Sequence, residues 1–171
     1  AVRKELGFAT IFNVLGPLTN PAGARRQVLG VFSADLTEPI AQVLQRLGTE
    51  RAMVVCGSCA DGVLDELTTT GPTRITYLDG DRITTTQLDA TTLGLAAAKP
   101  NELQVDSPQA SAAMVRDLLA GRSGAPRDIV CLNAAAALLV VDLAEDLPPI
   151  KIASLIYNTP ARNSAAQRRN R

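Results

Sequence analysis

The sequence predicts an α/β fold, in which a central sheet with parallel crossovers is flanked by helices and carries a small antiparallel element. Three observations lead to this class. A β-branched run, a helical segment and a second apolar run follow one another between residues 26 and 56, which is the pattern of a right-handed parallel crossover. Thr-rich extended segments then surround a turn cluster. Finally, two segments that begin at proline have helical periodicity.

The predicted crossover starts with a strand at residues 26–32, RQVLGVF, in which β-branched and apolar residues predominate. The tetrad at residues 35–38, DLTE, is an acidic variant of the capping box and predicts the start of a helix. Gly48 can adopt the left-handed conformation that ends a helix. The run RAMVVC at residues 51–56 predicts the second strand. The apolar face predicted for the helix consists of Leu36, Ile40, Val43, Leu44 and Leu47.

The antiparallel element is predicted from the Thr-rich residues 65–88. The segments ITYL and RITTTQL are separated by Asp79, Gly80 and Asp81, a cluster that is typical of a hairpin turn. We therefore expect two short antiparallel strands here.

Two further helices are predicted near the end of the chain. Ser107 followed by Pro108 is typical of a helix start, and this helix should end at Gly121. Pro126 opens the second helix, whose residues 129–143 are apolar nearly all round, so we expect it to be buried. The apolar face predicted for the first of these helices consists of Ala112, Val115, Leu118 and Leu119.

Composition excludes several classes of function. Seventeen basic and seventeen acidic residues leave no net charge, which argues against nucleic acid and against a membrane surface as partners. The chain has no histidine, so catalytic triads and histidine metal sites are excluded. Three cysteines are too few for a disulfide scaffold and favour the cytoplasm. The most apolar run, residues 129–141, is too short for a membrane span.

Two groups of residues are candidates for a binding site. The loop at residues 16–21, GPLTNP, presents backbone groups at fixed angles and suits the close approach of a planar ligand, although a tight connection is the simpler interpretation of the loop alone. Asp65 and Glu66 follow the RAMVVC strand, and ligand sites of α/β sheets lie beyond the carboxyl ends of strands. Adjacent carboxylates suit magnesium, while a solvated acidic pair or a helix cap is the simpler interpretation.

Other polar residues have weaker signals. Arg3 could bind a carboxylate through its planar fork, although a single arginine is usually a surface charge. Asn133 lies in an apolar helix, so its amide is either a buried tether, which we favour, or a site residue. Cys56 and Cys59 have CxxC spacing, but no second ligand pair accompanies them, which argues against zinc.

These segments occur in the order of one family. The segment VRKELGFATIFNVLGPLTNPAG at residues 2–23 resembles the anthranilate phosphoribosyltransferase signature, in which an arginine precedes LG, TIFN and LGPLTNPA. The segments QVLGVF, RAMVV, DELTTTGPT and RDIVCLNAAAAL continue the resemblance to about Leu147. Cys56 stands where the family commonly has histidine, and Ala9 where it usually has arginine.

The resemblance implies an α/β domain at residues 1–147, followed by a divergent polar tail at residues 148–171. It implies that Arg3 holds the anthranilate carboxylate and that Gly16 and Pro17 line the aromatic ring. It also implies that Asp65 and Glu66 hold Mg²⁺ on the pyrophosphate of phosphoribosyl pyrophosphate (PRPP). The implied enzyme works in tryptophan biosynthesis as a cytoplasmic homodimer.

The family's glycine-rich GTGGD loop, which holds the pyrophosphate, and its N-terminal helical region are not in this sequence. We therefore expect a fragment of an active transferase that is inactive alone. A non-catalytic remnant that serves as an interaction piece is one alternative. An enzyme of the pyrimidine nucleoside phosphorylase type is another, although the LGPLTNPA loop and the adjacent acids argue against it.

Overall fold

A computed structural model describes residues 15, 16 and 18–141 of the chain. Five strands and three helices make up the described fold, and short 3₁₀ turns precede α1 and follow β5. The elements are β1 (Arg26–Gly30), α1 (Thr37–Arg46), β2 (Arg51–Cys59), β3 (Gly62–Leu64), β4 (Thr73–Asp79), β5 (Arg82–Leu88), α2 (Pro108–Leu119) and α3 (Ala125–Val140). No helix in this part of the chain is long and apolar enough to cross a membrane.

The five strands form one mixed sheet with β2 near its centre. β1 pairs with β2 in parallel, with Gly30 opposite Val55, so β1, α1 and β2 form the predicted crossover. β4 pairs antiparallel with the other edge of β2, and β5 pairs with β4. The predicted hairpin is confirmed, since Asp79 pairs with Arg82 across a two-residue turn. Helices flank this sheet, which confirms the predicted fold class.

Apolar side chains pack on both faces of the sheet because successive residues of a strand point to opposite sides. In β2, Val54 packs toward α1 whereas Val55 packs toward α3. The α1 layer is built from Leu29, Val31, Ile40, Ala41, Leu44, Ala52, Val54, Cys56 and Leu78. The α3 layer is built from Met53, Val55, Leu67, Ile75, Ala90, Leu95, Leu132, Ala136 and Val140. The strand ends between these two layers are where a site can form.

The start of α1 differs from the predicted capping box. A 3₁₀ turn at Ala34–Leu36 leads into the helix, so Leu36 rather than Asp35 occupies the cap position of α1, and no side chain caps it. The Thr37 hydroxyl instead donates to the Ala34 carbonyl at 2.8 Å, because the tighter turn brings that carbonyl within reach. The predicted end is confirmed, since Gly48 has a φ of 82°.

The two later helices begin as predicted but are less buried than predicted. The Ser107 hydroxyl accepts a hydrogen bond from Ala110 N at 3.2 Å, which caps α2. No residue of α2 is buried, and Leu119 is 76% exposed. α3 buries one face only, and Val130 is 47% exposed. The expectation of an all-round buried α3 was wrong because its apolar character comes partly from alanines, such as Ala134 and Ala137, that are small enough to remain at the surface.

Candidate functional site

The acidic pair lies where β1 leaves the sheet. The residues between the RAMVVC strand and the acidic pair form a hairpin, because β2 continues to Cys59 and β3 returns along it, with Gly57 opposite Leu64. β1 pairs with the first part of the same edge of β2, so the end of β3 arrives at the carboxyl end of β1. Asp65 and Glu66 follow β3 directly. Their position at the carboxyl edge of the parallel strands agrees with the general location of ligand sites in α/β sheets.

Two glycines let the main chain of the acidic pair lie directly against the sheet. A Cβ atom at Gly30 would overlap the carbonyl group of Asp65 and lie 3.0 Å from its Cα. A Cβ atom at Gly57 would lie 2.6 Å from the Glu66 carbonyl oxygen. Both glycines therefore shape the candidate site, and the sequence analysis missed them. The available signal was a glycine inside the apolar strand RQVLGVF, since glycine in a strand often marks the close approach of another backbone.

Threonine hydroxyls hold the segment after the acidic pair. Thr68 N donates to the Thr73 hydroxyl at 3.1 Å, and Thr70 N donates to the Thr68 hydroxyl at 3.0 Å. The Thr70 hydroxyl also donates to the Ser58 carbonyl at 3.2 Å, which ties the segment to β2. These bonds replace strand pairing in a segment that lies outside the sheet ladder.

Asn133 provides the connection from this segment to α3. Its amide accepts a hydrogen bond from Leu67 N at 3.0 Å and donates to the Leu67 carbonyl at 2.8 Å. The same amide nitrogen donates to the Ile129 carbonyl at 2.9 Å. The preferred interpretation of Asn133 as a tether is therefore confirmed, and the tether ends at the residue after Glu66.

The electrostatic environment of the site is negative. Partial burial and the neighbouring charge of Asp65 raise the pKa of the Glu66 carboxyl. Burial, and then the charge of Asp65, also raise the pKa of the Cys56 thiol, which therefore stays protonated at neutral pH. Within residues 15, 16 and 18–141, neither Asp65 nor Glu66 forms an ion pair. Asp65 and Glu66 are nevertheless exposed as whole residues, and the burial of Glu66 is only partial, so a cation from solvent can reach the pair.

The donor set fits magnesium better than a metal held by protein alone. Among the described residues there is no group of three or more histidine, cysteine, aspartate or glutamate side chains that could hold a metal. Asp65 and Glu66 thus supply two hard oxygen donors. Magnesium usually binds one or two carboxylates and completes its shell with water and substrate phosphates. The acidic pair therefore fits a magnesium ion that arrives with a phosphorylated substrate.

Gly16 lies near the same end of β1. Gly16 is helical rather than part of the predicted rigid loop, and Thr19 N donates to the Leu15 carbonyl at 3.0 Å. A cavity of about 510 Å³ is lined by Gly16 and by β1 up to Gly30, whose backbone contacts Asp65. Arg3 and Pro17, the other two residues predicted for anthranilate, lie outside the described residues.

Comparison with known proteins identifies the family. Residues 1–152 match the glycosyl transferase family, a/b domain. The chain belongs to this family. By this description the family is one of transferases, so the chain belongs to an enzyme family.

Relatives and solved structures make the comparison more specific. The chain is 47% identical over 159 residues to an anthranilate phosphoribosyltransferase of Thermoanaerobacter sp., a match that covers 92% of this chain and 46% of the relative. The crystal structure of that enzyme from Thermus thermophilus is 37% identical with a TM-score of 0.78, and the match covers 94% of this chain and 46% of the other.

The yeast enzyme from Saccharomyces cerevisiae is also similar. Its complex with 4-fluoroanthranilate is 26% identical with a TM-score of 0.73, and the match covers 91% of this chain and 44% of that one. Its complex with PRPP and Mg is 27% identical with a TM-score of 0.73, over 91% and 43% of the two chains. The chain thus spans about half the length of the relatives that it matches.

Proposed function

We propose that this chain is the α/β part of an anthranilate phosphoribosyltransferase, which transfers the phosphoribosyl group of PRPP to the amine of anthranilate and releases pyrophosphate in tryptophan biosynthesis. One observation carries the proposal. The exposed acidic pair follows β3 at the carboxyl end of β1, and its main chain lies close to Gly30 and Gly57, which have no side chains. The relatives named for this activity, and the yeast structure with PRPP and Mg, support it.

In this proposal Asp65 and Glu66 hold magnesium on the pyrophosphate of PRPP. When bound, the ion would neutralise the negative charge that develops on pyrophosphate as it leaves. Asp65 and Glu66 contribute two negative charges that no cation within the described residues offsets. Their main chain lies against the sheet, so the backbone that carries the two carboxylates is held in place. Fixed oxygen donors of this kind lower the cost of reorganisation in the transition state.

The other proposed contacts orient anthranilate. Arg3 holds its carboxylate through two parallel hydrogen bonds, and Gly16 and Pro17 line its ring. The cavity between Gly16 and β1 supports this location, because it lies at the strand end that also contacts Asp65. A planar ring fits against a glycine since no side chain stands in its way.

Catalysis in this proposal does not require a strong base. The anthranilate amine is a neutral nucleophile, and pyrophosphate leaves as the amine attacks the anomeric carbon. Positioning and electrostatic stabilisation can then lower the barrier without histidine, which this sequence lacks. We also propose that the complete protein is a cytoplasmic homodimer, and that the transferase domain ends at about Leu147.

The proposal is tested with a hybrid enzyme. The hybrid joins this chain to the part of the Thermoanaerobacter relative that the chain does not cover. Purified hybrid, PRPP, anthranilate and Mg²⁺ are mixed, and the fluorescence of anthranilate is followed as it is consumed. We expect sustained consumption and an equal amount of released pyrophosphate.

Each half alone serves as the matched control and should give no turnover. A folded hybrid that consumes no anthranilate would contradict the proposal. A hybrid that instead cleaves thymidine in the presence of phosphate would support the nucleoside phosphorylase alternative.

A further inference from the structure

The amide of Asn133 pairs both main-chain polar groups of one residue. Leu67 N donates to its oxygen at 3.0 Å, and its nitrogen donates to the Leu67 carbonyl at 2.8 Å. The third bond, to the Ile129 carbonyl one turn earlier in α3, fixes the orientation of the amide itself. The side chain therefore acts on Leu67 as a neighbouring strand would, with two bonds of defined direction.

Docking of α3 does not depend on this amide. Leu132, Ala136 and Val140 bury the helix against the sheet at 3%, 2% and 1% exposure. The side chain of Leu67 is buried in the same cluster. Apolar contacts are not directional, however, so they hold Leu67 near α3 without setting the rotation of its main chain.

Leu67 N belongs to the peptide plane that joins Leu67 to Glu66, so its bond to Asn133 restrains the backbone from which the Glu66 side chain projects. On the side of the sheet, the Glu66 carbonyl lies close to β2 because Gly57 has no side chain there. Glu66 is thus fixed between a close contact with the sheet and the paired amide of Asn133. With the amide removed, one of these two restraints is lost.

We propose that Asn133 is a positioning residue for the metal site, which acts through Leu67 to keep the carboxylates of Asp65 and Glu66 in one orientation. This inference rests on the proposed function, since it takes the acidic pair as the magnesium ligands. Groups that orient metal ligands without contacting the metal typically change metal affinity by about 10-fold or more when they are lost.

The test uses the full 171-residue chain and Mn²⁺ as the probe. Binding of Mn²⁺ is measured by electron paramagnetic resonance for the wild type, Asn133→Ala and Asn133→Asp. Hydrogen exchange is measured in parallel for peptides that cover residues 65–70. We expect the half-saturating Mn²⁺ concentration to rise about 10-fold in Asn133→Ala. We also expect faster exchange of residues 65–70 in both variants. Alanine loses both bonds to Leu67, whereas aspartate keeps the acceptor for Leu67 N and loses the donor to the Leu67 carbonyl.

A matched control separates positioning from general stability. Leu44 is 1% exposed in the α1 layer, on the other face of the sheet, so Leu44→Ala lowers the thermal midpoint without touching the Asn133 contacts. We expect this variant to bind Mn²⁺ as the wild type does. Equal Mn²⁺ affinity in the wild type and both Asn133 variants, or an equal loss in Leu44→Ala, would overturn the inference.

The variant Asp65→Asn/Glu66→Gln shows which proposal has failed. If it binds Mn²⁺ as tightly as the wild type, the acidic pair is not the metal site and both proposals fall. If it binds weakly while Asn133→Ala binds normally, the metal assignment stands and the role of Asn133 alone is refuted.

Discussion

Replacement of Gly57 by alanine tests whether the sheet sets the position of the acidic pair. Gly57 lies in β2 between Leu64 of β3 and Thr73 of β4. The added Cβ would lie 2.6 Å from the Glu66 carbonyl oxygen and 2.7 Å from Cγ2 of Thr68. Ordinary contacts need about 3.5 Å, so the Glu66 main chain must move by about 1 Å. Overpacking of this kind costs about 1–3 kcal/mol.

The expected result has two parts. The thermal midpoint of the 171-residue chain should fall by about 2–12 °C, measured by circular dichroism. The affinity for Mn²⁺, measured by electron paramagnetic resonance well below that midpoint, should fall as well, because the Glu66 carboxylate moves with its main chain.

Gly48→Ala is the matched control for this prediction. Gly48 has a φ of 82°, and a Cβ added there would have nothing within 4 Å, so alanine adds backbone strain without a collision. The variant should be less stable but bind Mn²⁺ normally. If Gly57→Ala keeps wild-type affinity for Mn²⁺ despite lower stability, the reasoning that the sheet positions Glu66 is refuted.

Three further predictions concern other parts of the chain. Burial raises the pKa of the Asp128 carboxyl, whose Oδ1 has no hydrogen-bond partner within the described residues. The folded state therefore binds this proton more tightly than the unfolded state, and the stability of the fold falls as pH rises above about 4. Asp128→Asn should therefore have a higher thermal midpoint than the wild type at pH 7 and lose this advantage below pH ~4. If the difference in thermal midpoint is the same at both pH values, the raised pKa of Asp128 is refuted. Arg3→Lys in the hybrid enzyme should lower kcat/KM for anthranilate about tenfold, because lysine loses one of two parallel hydrogen bonds, and wild-type kinetics would show that Arg3 is a surface residue. The 171-residue chain alone should form no product from PRPP and anthranilate, and clear fluorescence change by the chain alone would contradict the fragment interpretation.

Much of the fold was predictable because local patterns and tertiary structure agree. β1, α1 and β2 have clear periodicity and short joins, and the hairpin of β4 and β5 has its own turn residues. β3 was missed since it has only three residues, begins at Gly62 and ends directly before the acidic pair, where composition indicates a loop. The exposure of α2 could not be predicted either, because apolar spacing shows which face can be buried and not whether a partner covers it.

The sequence pointed to residues of a candidate site, which stay a prediction, but not to the contacts that hold them in place. The position of Asp65 and Glu66 after a strand indicated a ligand site, and the resemblance implied magnesium there, which stays a prediction. The restraints on this pair come from Gly30, Gly57 and Asn133, which are far apart in the sequence. Asn133 is 66 residues from Leu67, and no local pattern records such a contact.

A magnesium titration of the hybrid enzyme tests the central claim most directly. Turnover is measured against Mg²⁺ concentration for the hybrid with Asp65 and Glu66 intact and for the hybrid in which both are alanine. Far-ultraviolet circular dichroism verifies that both proteins are folded. We predict that the double variant retains its fold and loses metal-dependent turnover, because the acidic pair supplies the protein ligands of the ion. Undiminished turnover of the double variant at saturating Mg²⁺ would contradict the account.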